Sequence, residues 1–167
     1  CEKGMAASLS EANAMAEACK RNDVAFNLGA QRRFHPGFQK MREMIDSEEL
    51  GSLRSLYMAF GGGYFDHGCH VMDLAQYLSS DSPAQWVQGT TRQSEPIKDG
   101  NVYRDDPGGS AVVQFQNGVT LYFIENNRTN YQVNCESGTM GTFNDIRAWY
   151  MRKGEKGQDL QPVEFPD

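Results

Sequence analysis

The sequence predicts an α+β fold, in which helices lie on one face of a mostly antiparallel, open β-sheet. Two observations lead to this prediction. Helical spacing of apolar residues is confined to the first half of the chain, and strand patterns follow one another from Ser82 onward. The clearest strand signal is Asn117-Gly118, which separates two apolar runs and is typical of a β-hairpin turn.

The first predicted helix begins at a capping box. Ser8 and Glu11 have the S-x-x-E spacing in which each side chain satisfies a free backbone N–H group. Apolar residues recur at helical spacing behind it, so we expect this helix to run to about Lys20. Asn22-Asp23 then interrupts the pattern, and Val24 to Leu28 is predicted to form a short, largely buried strand.

Two further helices are predicted before the strand-rich half. The second begins at Pro36, which suits the first turn of a helix, and is expected to close at Gly51. The third is expected to run from about Asp66 to Leu78. Their apolar faces comprise Phe38, Met41 and Ile45 in the second helix, and Val71, Leu74, Ala75 and Leu78 in the third.

Six strands are predicted after residue 50, and a polar, turn-rich loop is predicted from Glu95 to Gly109. Alternation and β-branched or aromatic content are the basis for most of them. The predicted strands are Leu53 to Phe60, Trp86 to Arg92, Ala111 to Phe115, Val119 to Ile124, Tyr131 to Cys135 and Gly141 to Phe143.

Composition excludes several classes of protein. The chain has 167 residues, 39% of them hydrophobic, which is enough for one ordinary domain or one domain plus a fragment. A net charge of −6 argues against nucleic-acid and anionic-membrane partners, and no apolar run reaches the roughly 20 residues of a membrane span. No signal peptide is visible, and the four dispersed cysteines indicate reduced thiols, so we expect a cytoplasmic protein. Because the sequence starts at Cys1, we expect it to be part of a longer chain.

The densest polar cluster is Asp66 to Asp73. On a helix Asp66 and His70 are four residues apart, and His70 and Asp73 are three apart, so both carboxylates are expected to flank one imidazole. A carboxylate beside histidine favours the protonated ring and orients it as a general base. The alternative is structural, with Asp66 as a helix cap and His70 as a satisfied, partly buried histidine.

A metal site is a second chemical interpretation of the same cluster, because Asp66, His67, His70 and Asp73 are all possible ligands. Their spacing differs from the H-E-x-x-H arrangement of zinc peptidases, and we predict no metal. Gly61-Gly62-Gly63 lacks the following G-K-[ST] of a phosphate loop, and G-x-G-x-x-G is absent from the chain.

Three motifs in order resemble the glucose–fructose oxidoreductase / inositol dehydrogenase / MocA family. Residues 1–6 are similar to its E-K-P segment. The stretch from 31–36 to 50–55 is similar to its R-R-F-x-P … G-x-L-G stretch. Residues 61–74 are similar to its G-G-G-x-x-x-D-x-G-x-H-x-x-D signature, one residue short before Asp66.

The resemblance implies a function for individual residues. The family comprises two-domain NAD(P)-dependent oxidoreductases, whose catalytic lysine, aspartate and histidine correspond to Lys3, Asp66 and His70. His70 is expected to take the proton of a substrate hydroxyl, Asp66 to orient His70, and Lys3 to stabilise the developing oxygen charge.

The resemblance also implies binding residues and partners. Asp73 and Arg32 are expected to bind a sugar or polyol substrate, with Gln31 and Tyr131 as weaker candidates, while Glu2 and Lys3 are expected near the nicotinamide of NAD or NADP. A homodimer or homotetramer through the sheet face is expected.

This chain departs from the family in further respects. Gly4 replaces the usual proline, and the dinucleotide-binding half has no counterpart here. The family usually has a longer segment between Phe60 and Gly61 and more chain after Asp167. We therefore expect residues 1–22 to be a remnant of the junction with that half, and residues 23–167 to be an incomplete substrate-binding and oligomerisation domain. The chain alone is expected to be inactive and to bind no dinucleotide. Two alternatives remain open: a non-catalytic binding or assembly module of the same fold, and a metal-dependent hydrolase or lyase.

Overall fold

The structure is a computed structural model, and it describes residues 1–6, 8–92, 98–99, 102–103, 106–154 and 159–165. It contains three α-helices, a 3₁₀ turn at Gln31–Phe34 and a π-helical turn at Tyr64–Gly68. The α-helices are α1 (Leu9–Arg21), α2 (Pro36–Asp46) and α3 (Cys69–Leu78). The strands are β1 (Leu53–Phe60), β2 (Ala84–Arg92), β3 (Lys98–Asp99), β4 (Val102–Tyr103), β5 (Gly108–Phe115), β6 (Thr120–Glu125), β7 (Asn130–Cys135), β8 (Gly138–Phe143), β9 (Ala148–Lys153) and β10 (Gln161–Pro162).

Eight strands form one open sheet in the order β10-β9-β8-β7-β1-β6-β5-β2, and β3 pairs with β4 separately. Within the described residues every neighbouring pair is antiparallel except β1 with β6. The β5–β6 hairpin turns at Asn117-Gly118 as the sequence predicts, with the Val119 N–H donating to the Asn117 side chain. The predicted α+β class is confirmed.

One face of the sheet and helices α2 and α3 enclose the hydrophobic core. In β1 the side chains of Leu56, Met58 and Phe60 are fully buried, whereas Tyr57 between them is 37% exposed. This alternation places successive side chains on opposite faces of the sheet. The helices contribute the fully buried side chains Phe38 and Met41 from α2 and Val71, Leu74, Ala75 and Leu78 from α3. The sheet face that carries Tyr57 is left open.

The predicted strand from Val24 to Leu28 is wrong. This segment is an extended connection, and Val24 is 57% exposed. A strand needs a partner for its backbone groups, and no strand among the described residues lies beside this one. Helix α1 before it begins with the predicted cap, in which the Ser8 hydroxyl accepts from the Glu11 N–H at 3.3 Å, but no α1 residue is buried.

Three other sequence predictions need correction. Helix α2 ends at Asp46 rather than at Gly51, since the chain turns through Glu48 in a left-handed conformation (φ 52°). Strands β9 and β10 were not predicted. The loop predicted from Glu95 to Gly109 lies partly outside the described residues, and the described part contains β3, β4 and the start of β5. Within the described part, no helix is both long and apolar enough to cross a membrane.

Candidate functional site

The N-terminal segment of the chain lies against the turn that precedes α3. The Cys1 ammonium donates to the Asn27 carbonyl at 2.8 Å, and the Gly29 N–H donates to the Cys1 carbonyl at the same distance. Gly4 has a φ of +78°, a left-handed conformation that proline, with φ near −65°, does not adopt. The backbone immediately after Lys3 therefore follows a path that a proline at position 4 could not adopt.

Lys3 is directed at Asp66. Its Nζ donates to the Asp66 carbonyl oxygen at 2.9 Å and also forms an ion pair with the Asp66 carboxylate. This hydrogen bond lowers the pKa of Asp66 and raises the pKa of Lys3, so both groups are charged at neutral pH. The structure thus brings together two of the three residues that the family resemblance marks as catalytic.

Asp106 holds the turn on which Asp66 lies. Its two carboxylate oxygens accept hydrogen bonds from the backbone N–H groups of Phe65 (2.9 Å) and Asp66 (2.8 Å). Gly63 makes this approach possible, because a Cβ at Gly63 would overlap the Asp106 carboxylate. Sequence reasoning missed Asp106, since it is 40 residues away from Asp66 and belongs to no motif.

His70 is buried in the first turn of α3. Its side chain is 8% exposed, and its Nδ1 has no hydrogen-bond partner among the described residues. Asp66 and Asp73, which were expected to flank the imidazole, each form an ion pair with a basic side chain, and neither has a described hydrogen bond to His70.

Burial and nearby positive charge set the protonation state of His70. Burial lowers the pKa of His70, and the charges of Arg32, Lys3 and His67 lower it further, against a smaller opposite effect of Asp66. The imidazole is therefore neutral at pH 7 and can accept a proton.

Arg33 and Asp73 form a half-buried ion pair that connects the 3₁₀ turn to α3. Arg33 Nε donates to Asp73 Oδ2 at 2.9 Å, and its second nitrogen pairs with Oδ1. This two-pronged hydrogen bond raises the pKa of the Arg33 guanidinium. Asp73, predicted to bind substrate, is thus already held by a basic residue that the prediction did not include.

Arg32 lies next to this pair but has no carboxylate partner among the described residues. Its guanidinium is 5.4 Å from the centre of the Tyr131 ring, and its Nη1 is buried without a hydrogen-bond partner. Tyr131 is 1% exposed, so its ring supports Arg32, and its hydroxyl is also unpartnered. Gln31 is exposed at the start of the 3₁₀ turn and contributes no described contact to this cluster.

Glu2 and His67 lie at the edge of the cluster. The Glu2 carboxylate accepts from the Lys3 N–H at 3.1 Å, and His67 Nδ1 lies 2.6 Å from the Gly61 carbonyl. The four side chains considered as metal ligands, Asp66, His67, His70 and Asp73, do not converge on one point. Among the described residues no group of three or more His, Cys, Asp or Glu side chains is arranged to hold a metal.

No family model matches the chain, but comparison with curated proteins finds relatives of similar sequence. Myo-inositol 2-dehydrogenase of Thermotoga maritima is 27% identical over 150 residues, which are 77% of this chain and 42% of that protein. D-apiose dehydrogenase of Rhizobium rhizogenes is 26% identical and covers 72% of the chain, and rhizopine catabolism protein MocA of Rhizobium meliloti is 28% identical and covers 55%. The chain spans 33–42% of the length of these three relatives.

Solved structures show the same fold. The aldose–aldose oxidoreductase of Caulobacter crescentus, complexed with glycerol, matches 98% of this chain and 55% of its own with a TM-score of 0.83 at 18% identity. An inositol dehydrogenase homologue of Azotobacter vinelandii, complexed with NADH and myo-inositol, matches 98% of this chain and 48% of its own with a TM-score of 0.80 at 16% identity.

The chain therefore has the fold of the C-terminal domain of two-domain oxidoreductases. The similarity to these curated proteins supports the resemblance to the glucose–fructose oxidoreductase / inositol dehydrogenase / MocA family.

Proposed function

We propose that this chain is the substrate domain of an NAD(P)-dependent oxidoreductase that moves hydride between a sugar, polyol or related alcohol and nicotinamide. Two curated relatives are dehydrogenases of myo-inositol and D-apiose, which supports this class of substrate. The observation that carries the proposal is the buried, neutral His70 with an unpartnered Nδ1, in the field of the Lys3–Asp66 pair.

In this proposal His70 is the general base. A neutral imidazole accepts the hydroxyl proton of the substrate as the carbinol C–H bond breaks and the carbonyl forms. The Lys3 ammonium donates to the same oxygen and stabilises its developing negative charge. Asp66 acts through Lys3, since its carboxylate holds the Lys3 ammonium and not the imidazole.

The nicotinamide, when bound, supplies the acceptor for the hydride. The residues of this chain that we assign next to it are Glu2 and Lys3, which lie on the segment facing Asp66. The unpartnered His70 imidazole and the Lys3 ammonium suit a substrate hydroxyl that loses its proton next to the nicotinamide ring. We assign dinucleotide binding to a second domain, so this chain alone is expected not to bind NAD or NADP.

We assign Arg32 and Asp73 to the binding of substrate hydroxyls. The ion pair with Arg33 holds the Asp73 carboxylate in place. Gln31 stays a weaker candidate. Tyr131 supports the Arg32 guanidinium from below and is proposed as a positioning residue, because its side chain is almost fully buried.

The test is a screen of sugars and inositols for NAD(P)H formation with the longest natural reading frame that contains this chain. We expect turnover of at least one of these alcohols. His70→Ala should lower kcat by about 10²- to 10⁴-fold, whereas the neighbouring His67→Ala is the matched control and should retain most of the activity. Normal turnover by His70→Ala would exclude the proposed base.

We also propose a homodimer or homotetramer formed through the open face of the sheet. Tyr57 and Tyr122 are paired across β1 and β6 on this face, and they are 37% and 43% exposed. Trp86 of β2 is 46% exposed. Light scattering should give a dimer or larger species for the wild type and a monomer for Tyr122→Lys, and a monomeric wild type would contradict this assignment. An oligomer that turns over no alcohol would instead support the non-catalytic alternative.

A further inference from the structure

Two of the three Lys and Arg side chains of this site have an acidic partner. Lys3 pairs with Asp66, and Arg33 pairs with both carboxylate oxygens of Asp73. Each pair is close to neutral as a unit. Arg32 is the third basic side chain, and among the described residues no carboxylate pairs with it.

The Arg32 guanidinium is also short of hydrogen-bond partners. Its Nη1 is buried and unsatisfied, and its one described interaction is with the face of the Tyr131 ring at 5.4 Å. Burial lowers the pKa of the Arg32 guanidinium, but arginine remains charged in proteins. Arg32 as a whole is half-buried, so the rest of the guanidinium is open to a ligand. A charged donor group that is short of partners in such a place is costly, and we expect a ligand to complete it.

We propose that the site takes an anionic alcohol, a sugar acid or similar hydroxy acid, whose carboxylate pairs with Arg32 while its carbinol faces His70. This inference rests on the proposed function and narrows its substrate class. A carboxylate matches the planar fork of the guanidinium, supplies the missing charge and leaves the Lys3–Asp66 and Arg33–Asp73 pairs intact. A neutral polyol would leave the Arg32 charge uncompensated.

Charge compensation at Arg32 has a consequence for the base. The groups that act on the imidazole are Arg32 from the 3₁₀ turn, Lys3 from the N-terminal segment, and His67 and Asp66 from the π-helical turn. A bound carboxylate cancels the Arg32 contribution, so the pKa of His70 rises when the acid binds. Substrate binding would thereby make His70 a stronger base.

The experiment compares two sugars that differ only at one carbon, D-glucuronate and D-glucose, by calorimetry with the wild-type chain. D-galacturonate and D-galactose provide a second pair. We expect the acid of at least one pair to bind at least about tenfold more tightly than its neutral partner. Arg32→Gln should weaken binding of that acid by about 10- to 100-fold, and should weaken binding of the neutral sugar, which meets Arg32 only through a hydroxyl, by a clearly smaller factor. Arg32→Lys should retain part of the preference, and Arg152→Gln, at an exposed site on β9, is the control and should retain all of it.

A second readout is the NMR titration of the His70 ring. Saturation with the acid should raise the His70 pKa, and saturation with the neutral sugar should not. The proposal is overturned if neither acid binds saturably, if acid and neutral sugar bind equally well, or if Arg32→Gln weakens both alike. Failure of the proposed function looks different: the acid binds through Arg32, but the longest reading frame forms no NAD(P)H. Turnover of neutral polyols with no preference for acids would leave the proposed function standing and refute this inference.

Discussion

Asp106 and Gly63 should be energetically coupled, and the size of the coupling can be worked out from their contacts. Asp106 satisfies two backbone donors at the start of the helical segment, at 2.9 and 2.8 Å. A capping hydrogen bond contributes about 1 kcal/mol, so Asp106→Ala should lower the free energy of unfolding by about 2 kcal/mol. Asp106→Asn keeps one acceptor oxygen, so its free energy of unfolding should lie between those of the wild type and Asp106→Ala.

Gly63→Ala tests the same contact from the other side. Gly63 has φ −86° and ψ 176°, which alanine adopts freely, so the cost comes from overlap of the new Cβ with the Asp106 carboxylate. Overpacking of this kind costs about 2 kcal/mol. In the Asp106→Ala background the overlap is gone, and Gly63→Ala should be nearly neutral.

The assay is a double-mutant cycle by urea denaturation followed by circular dichroism. Independent effects would sum to about 4 kcal/mol, whereas the structure predicts about 2 kcal/mol for the double variant and hence a coupling of about 2 kcal/mol. Additivity within about 0.5 kcal/mol would show that Asp106 does not cap this turn.

Two further predictions concern the ion pair and the core. The pKa of Asp66 is depressed by Lys3, so the pair stabilises the fold fully above the ordinary aspartate pKa of about 3.9 and is lost as pH falls through the folded value. The urea midpoint of the wild type should therefore exceed that of Lys3→Met at pH 7 and converge with it between about pH 4 and pH 2, and a constant gap would refute the pairing. Leu74→Ala, at a fully buried position, should lower the free energy of unfolding by about 2–5 kcal/mol. Leu9→Ala is the control at a 77% exposed position and should change it by less than about 0.5 kcal/mol; equal effects would contradict the described core.

Local patterns were enough to predict most of the fold. The buried stripe of α3 and the turn at Asn117-Gly118 depend on neighbours within a few residues, and both are confirmed. The predicted strand from Val24 to Leu28 failed because a strand depends on a partner, which apolar content does not reveal. Strand β9 was missed although Trp149 is buried, since the segment ends in Arg152 and Lys153 and shows little alternation.

The sequence predicted which residues belong to the site better than it predicted which of them form ion pairs. The motifs marked Lys3 and Asp66, which the structure brings into contact, and His70, which it buries beside them. They did not reveal that Asp106 fixes the π-helical turn on which Asp66 lies. Nor can adjacent residues in one motif show which arginine is partnered, and here it is Arg33 that pairs with Asp73.

The central claim is that a neutral, buried His70 is the base of an alcohol oxidation. It is tested most directly by the pH dependence of kcat/KM for alcohol oxidation by the longest natural reading frame, which reports the ionisation of the free enzyme. We predict that the rate falls in acid through an inflection below the ordinary histidine pKa of about 6.5, and that this inflection is absent from the residual activity of His70→Ala. The same inflection in the wild type and in His70→Ala would contradict the claim.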